Sequence, residues 1–245
     1  MLKILRLGAL ALALAACGAP RPRPPAVEST PAQTLPDQAG AYRIDAAQSE
    51  LRVLVYRAGP LARLGHNHVM VNRSLRGAVA LSPSLLASSF ALVAPAAGFR
   101  VDDPEARHEE GAEFLSDISD EAQAGTLNNM LSPEVLNAAA FPDISVKSVA
   151  VQFSGSGSPA FGTTGEGAKT LRGRLLVTVS LNVAGHSSTL DVPVTVLVDS
   201  GRVVATGVVE VRQSSLGLTP YSLMLGALQV QDAVTLKFRI VASEG

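Results

Sequence analysis

"LLVTVSLNV", residues 175–183, and "LDVPVTVLV", residues 190–198, decide the fold. In the first, Val177, Val179, Leu181 and Val183 alternate with Thr178, Ser180 and Asn182. In the second, Leu190, Val192, Val194, Val196 and Val198 occupy every other position. Successive strand residues point to opposite faces, so this period of two collects the apolar side chains on one side of a strand. "VTLKFRI" (234–240) repeats the pattern, with Leu236 and Phe238 on its apolar side. "LRVLVY" (51–56), "LRGAVAL" (75–81), "FALVAP" (90–95), "ISVKSVAVQF" (144–153) and "VVATGVVEV" (203–211) bring the candidate strands to about eight, few of them split by turn residues. A set of this size predicts either a closed antiparallel barrel or a two-sheet sandwich.

Only residues 103–140 read otherwise. A helix is expected over 121–130, weakened by Gly125. A second is expected from Ser132-Pro133-Glu134, with Ser as N-cap and Pro in the first turn, running until Phe141-Pro142 stops it. "SGSGSPAFGTTGEG", 154–167, has the composition of a hairpin tip or loop.

The chain begins "MLKILRLGALALALAACGAP". Lys3 and Arg6 precede an apolar run too short to span a bilayer, which is the layout of a secretory signal. The run ends in Leu14-Ala15-Ala16-Cys17, which resembles the bacterial lipobox, and Cys17 is the only cysteine in the chain. Cleavage before Cys17 and acylation of its thiol would anchor the protein through acyl chains, each buried CH₂ contributing about 0.8 kcal/mol. Gly18 after the cysteine, where retention in the inner membrane calls for Asp, directs the expectation to the outer membrane, with the protein facing the periplasm. Residues 17–40 then form a lipidated cysteine and a Pro-rich tether, and 41–245 a single domain. The formal charge is −1, two units more negative without Lys3 and Arg6, and no long basic run follows, so nucleic acid is not an expected partner.

Five stretches in order carry a family resemblance: "YRIDAAQSELRVLVYRAG" with Tyr42, Asp45 and Ser49; "MLSPEVLNAAAFPDISVKSVAV"; "LRGRLLVTVSLNVAGHSSTLDVPVTV"; "VVEVRQSSLGLTPY"; and "VQDAVTLKFRIVA". Together they resemble the YceI-like family over nearly all of 41–243. The resemblance implies an extended, lipocalin-like antiparallel barrel with an apolar tunnel for an isoprenoid-like lipid such as a polyprenyl phosphate or a quinone. One departure stands out. Where many members carry Arg-Asp-x-His-Leu, this chain has Thr126-Leu127-Asn128-Asn129-Met130, so a neutral lipid or quinone is expected over a pyrophosphate.

With no Trp, seven Phe and three Tyr, the barrel interior is mainly Val, Leu and Ala. Such side chains leave either an elongated cavity or a solid aliphatic core. Val179, Leu181, Val194, Val196, Leu236 and Phe238 are the expected ligand-facing residues, and His66, Asn67 and His68 in "LARLGHNHVMV" the expected head-group contacts. The spacing of His66 and His68 also permits metal or haem ligation, although a metal site needs three or four ligands and the remaining histidines, His108 and His186, are distant in sequence. No Ser elbow, phosphate-cradling loop or cysteine nucleophile is present, so no enzymatic activity is expected. The expected function is a lipid-anchored carrier. Its alternatives are a metal- or haem-binding envelope protein and a structural protein with a filled barrel. Homodimer formation is left open.

Overall fold

A computed structural model describes residues 41–154, 160–163 and 169–244. The expected signal, Cys17 and the tether lie outside these residues, as do 155–159 and 164–168 of the expected loop.

The strands are β1 (Tyr42–Ile44), β2 (Glu50–Ala58), β3 (His68–Asn72), β4 (Arg76–Ala80), β5 (Ser89–Pro95) and β6 (Phe99–Val101). Two helices follow, α1 (Pro104–Glu109) and α2 (Asp120–Leu131). Then come β7 (Asp143–Phe153), β8 (Ala160–Thr163), β9 (Lys169–Val183), β10 (His186–Asp199), β11 (Arg202–Arg212), β12 (Ser222–Leu223) and β13 (Leu228–Glu244). Eight of them, in the order β1-β4-β5-β7-β9-β10-β11-β13, form a ring that β1–β13 pairing closes. The fold is therefore the closed antiparallel barrel, not the sandwich.

The ring has a tight end and a splayed end. Along one edge β13 pairs first with β2 (Gln229 to Arg239) and then with β1 (Ala242 to Glu244). The handover explains the Tyr-x-Ile-Asp-x-x-x-Ser stretch. Asp45 caps a short 3-10 turn by accepting from Ala47 N at 3.0 Å, and buried Ser49 substitutes for the interrupted ladder, its hydroxyl accepting from Val241 N at 2.9 Å. Beyond this kink β2, β3 and β6 form an extension of the sheet that does not rejoin β7. On the other side β10 pairs with β11 only over Thr195 to Asp199, so the lower part of β10 diverges from β11.

Alternation sets what faces inward. Leu175, Val177, Val179, Leu181 and Val183 of β9 are all buried, with partly polar residues between them. In β7 the register shifts between Ser148 and Ala150, a bulge that leaves Val149 exposed and lets both Val146 and Val151 pack inward. At the tight end Leu85, from the β4–β5 connection, is buried inside, and a Cβ on Gly173 would lie 3.7 Å from its Cδ1. A second, outer core lies under α1, where Leu54, Val69, Val71, Ala106 and Phe114 pack together.

The expected helix from Ser132 is not formed. Residues 132–140 are a run of turns in which Asn137 adopts a left-handed φ of 45°. Ser132 N–H instead closes the last turn of α2 on Asn129 O, Pro133 cannot extend that helix, and Leu136 is drawn into the core with Leu181, Val183 and Leu216. The helix expected over 121–130 is α2. Part of the expected 154–167 loop is strand β8, paired with β9.

Candidate functional site

The interior is not filled. A cavity of about 590 Å³ runs from Leu85 at the tight end to Leu64, Gly65 and His66 at the splayed end. Its wall is aliphatic along its length, from Val203 and Val196 through Val179 and Leu181 to Val230. Leu64 and Leu223 line it and are also solvent-exposed, which places the mouth at the splayed end. The gap in the sheet between β6 and β7 is covered by α2. Ala122, Thr126, Asn129 and Met130, spaced for one helical face, line the cavity there, although no residue of α2 is buried.

Gly207 makes room for the ring of Phe238, the residue opposite it on β13. A Cβ on Gly207 would overlap that ring and sit 2.5 Å from Pro193 O.

Polar groups are confined mainly to the mouth: Arg57, His66, His68, Tyr221 and Gln229, with Thr126 and Asn129 from α2. His68 is the first residue of β3, and alternation turns it and Met70 to the cavity while Val69 and Val71 face the outer core. Behind His68 stands Asp102, only 1% exposed. Asp102 adopts a φ of 59°, which brings its carboxylate back onto β3. Its Oδ2 lies 2.7 Å from His68 Nδ1, and its Oδ1 accepts from Val69 N at 3.0 Å and from Arg107 Nη1 at 2.7 Å. Burial alone would raise the Asp102 pKa, but hydrogen bonds from His68, Val69 and Arg107 outweigh it and hold the carboxyl below its ordinary range. Arg107 is buried as well and ties the cluster to the surrounding loops by donating to Asn67 O at 2.9 Å and Ser116 O at 2.9 Å. With Nδ1 committed to Asp102, the other ring nitrogen of His68 is the one left to a ligand. It accepts from a hydroxyl when neutral and donates to a carbonyl or phosphate oxygen when protonated.

His66 is held differently. Its Nδ1 is 3.2 Å from Ser116 Oγ. Partial burial first, and then the neighbouring His68 and Arg107 side chains, lower its pKa below the ordinary imidazole value.

Of the residues expected from sequence, His66, His68, Val179, Leu181, Val194, Val196, Leu236 and Phe238 all line the cavity. Asn67 does not. Its amide accepts from Arg57 N at 3.0 Å and donates to Glu113 O at 3.2 Å, which fixes the loop. For the metal reading, the His66 and His68 ring centroids are 6.4 Å apart, and among the described residues no three His, Cys, Asp or Glu side chains converge. His186 packs its ring on Gly217 in a separate surface cleft. His108 lies on α1.

Sequence reasoning missed Asp102 and Arg107. Asp103 is the N-cap of α1, accepting from Ala106 N at 3.1 Å. One acid suffices for that cap, so the adjacent Asp102 was the surplus that pointed to a further role. Glu110 is nearly buried and binds Lys237 and Arg52, which secures α1 to the barrel wall.

A closed antiparallel barrel around an apolar cavity is the architecture of barrels with room for one small ligand. The chain belongs to the YceI-like domain family, whose model matches residues 42–242. Two of the solved structures that share the fold are similar over most of this chain. Burkholderia cenocepacia BcnA is 16% identical with a TM-score of 0.56, the match covering 82% of this chain and 99% of that one. A polyisoprenoid binding domain from Saccharophagus degradans, implicated in plant cell wall breakdown, is 12% identical with a TM-score of 0.53, covering 84% and 99%. No curated protein matches the chain significantly.

Proposed function

We propose that this protein binds and carries an isoprenoid-like or other long-chain lipid in its barrel, and that it catalyses no covalent chemistry. The observation that carries the reading is the aliphatic cavity of about 590 Å³ with its histidines, Arg57, Tyr221 and Gln229 gathered at one end. That volume is in the range of ordinary small-ligand sites. Each methylene of a tail moved from water into the cavity contributes ~0.8 kcal/mol, offset by the cost of ordering the chain. The binding ascribed to the Saccharophagus degradans domain agrees with this chemistry.

The mouth favours an uncharged or weakly charged head, a quinone or a polyprenol. Thr126 and Asn129 face the cavity from α2, and His68, backed by Asp102, is suited to hydrogen-bond a carbonyl or hydroxyl. The lipobox-like Leu14-Ala15-Ala16-Cys17 and the Pro-rich 18–40 stretch support an acylated protein held on the periplasmic side of the outer membrane.

Organic extraction of the purified protein with mass spectrometry, joined to uptake of added long-chain quinone and polyprenol, tests the reading. A bound lipid or saturable uptake is expected. Neither, in repeated preparations, overturns it.

A further inference from the structure

The β12–β13 hairpin turns at Met224, Leu225, Gly226 and Ala227. Tight turns that need positive φ select Gly, Asn or Asp. Here two large apolar residues take the left-handed conformation in succession, Met224 at φ 50° and Leu225 at φ 55°. Backbone strain of this kind persists where the surrounding structure enforces it, and it gathers at functional sites. What it achieves here is exposure: Leu223 is 44%, Met224 73% and Leu225 109% accessible, and neighbouring Leu64 60%. Among the described residues nine large apolar side chains are exposed, and these four belong to one end of the barrel. Val149, Leu197 and Val208, by contrast, stand singly on strand faces, which is ordinary.

The hairpin tip and the Leu64 segment are one unit. Leu61 N donates to Ala227 O at 2.8 Å, and the Leu228 side chain reaches Gly65. The unit is also the cavity rim, since Leu64, Leu223 and Leu228 line the cavity. Arg57 and Arg63, both exposed, stand on the Leu64 side.

We propose that the Leu223–Leu225 tip and Leu64 insert into a phospholipid bilayer and seat the cavity mouth on the membrane. A narrow apolar wedge is the wrong shape for a stable protein partner, which needs roughly 800 Å² of fitted surface on each side. It is suited to the headgroup–acyl boundary, where apolar side chains are buried and flanking arginines meet phosphate. The purpose of the contact, passage of a lipid between bilayer and cavity, rests on the carrier reading. The insertion itself does not.

The test uses the full chain with Cys17→Ser, which removes its only thiol, and Leu225→Cys carrying an environment-sensitive fluorophore. The same label at Ser200, in the β10–β11 turn at the tight end, is the control. On adding phosphatidylethanolamine–phosphatidylglycerol vesicles, the tip label is expected to shift to the blue and to be quenched by acyl-brominated lipid, while the Ser200 label does neither. Adding Leu64→Asp and Met224→Asp, exposed changes that leave the core intact, is expected to abolish the tip signal. An unshifted tip label, equal quenching at both sites, or a signal indifferent to the aspartates overturns the proposal. Insertion without lipid uptake leaves the docking surface standing and counts against the carrier reading alone.

Discussion

His68 Nδ1 lies 2.7 Å from Asp102 Oδ2, so a cavity-facing ring is braced by a carboxylate that solvent does not reach. The same carboxylate receives Arg107, itself buried. A cavity-facing imidazole and a structural ion pair thus share one acceptor.

Asp102→Asn leaves the Arg107 guanidinium buried without its counter-charge. Breaking a buried pair from one side costs about 3–5 kcal/mol. A urea unfolding curve should show the midpoint lowered accordingly with its slope unchanged. Replacing Arg107 as well, by Met, should recover part of the loss.

Acid should act through the same group. The folded pKa of Asp102 is depressed below its ordinary value. Its contribution to stability is therefore complete above the ordinary carboxylate range, shrinks as the pH falls through it, and vanishes below the folded value. Unfolding midpoints measured from neutral pH downward should fall less steeply in Asp102→Asn than in the parent.

Substituting His68 by Phe should separate head from tail. Loss of one hydrogen bond to the ligand costs about 0.5–1.5 kcal/mol, more if the head group is left buried and unpaired. Affinity for a polyprenol or quinone should drop accordingly, while affinity for a plain hydrocarbon chain of equal length stays. An equal drop for both would assign His68 a structural role only.

Val179→Phe and Val194→Phe place larger rings in the cavity wall. Because they fill space instead of displacing packed atoms, the unliganded protein should keep its melting temperature, and lipid uptake should fall. Gly207→Ala is the opposite case. Its Cβ meets the Phe238 ring and Pro193 O, and overpacking of this kind costs about 1–3 kcal/mol, read as a lower melting temperature.

The barrel was legible because most of its strands bury one face only, as Val177 to Val183 do. β3 was not, because "HVMVN" is apolar on both sides: Val69 and Val71 serve the outer core and Met70 the cavity. Periodicity is silent where both faces are buried. The helix expected at Ser132 had correct local signals, but Ser132 was already spent ending α2. The aliphatic lining was readable from alternation, whereas the Asp102 brace was not, since 34 residues separate it from His68 and only the fold brings them together.

Leu85 stoppers the barrel at one end, and the polar rim stands at the other. On the carrier reading proposed above, a lipid would enter in one orientation, tail leading and head trailing. Its tail would be sorted by girth along the whole bore, and a bulky head would not have to pass through it. Selection between lipids should accordingly be strict on branching and saturation and lenient on whatever substituent remains at the doorway.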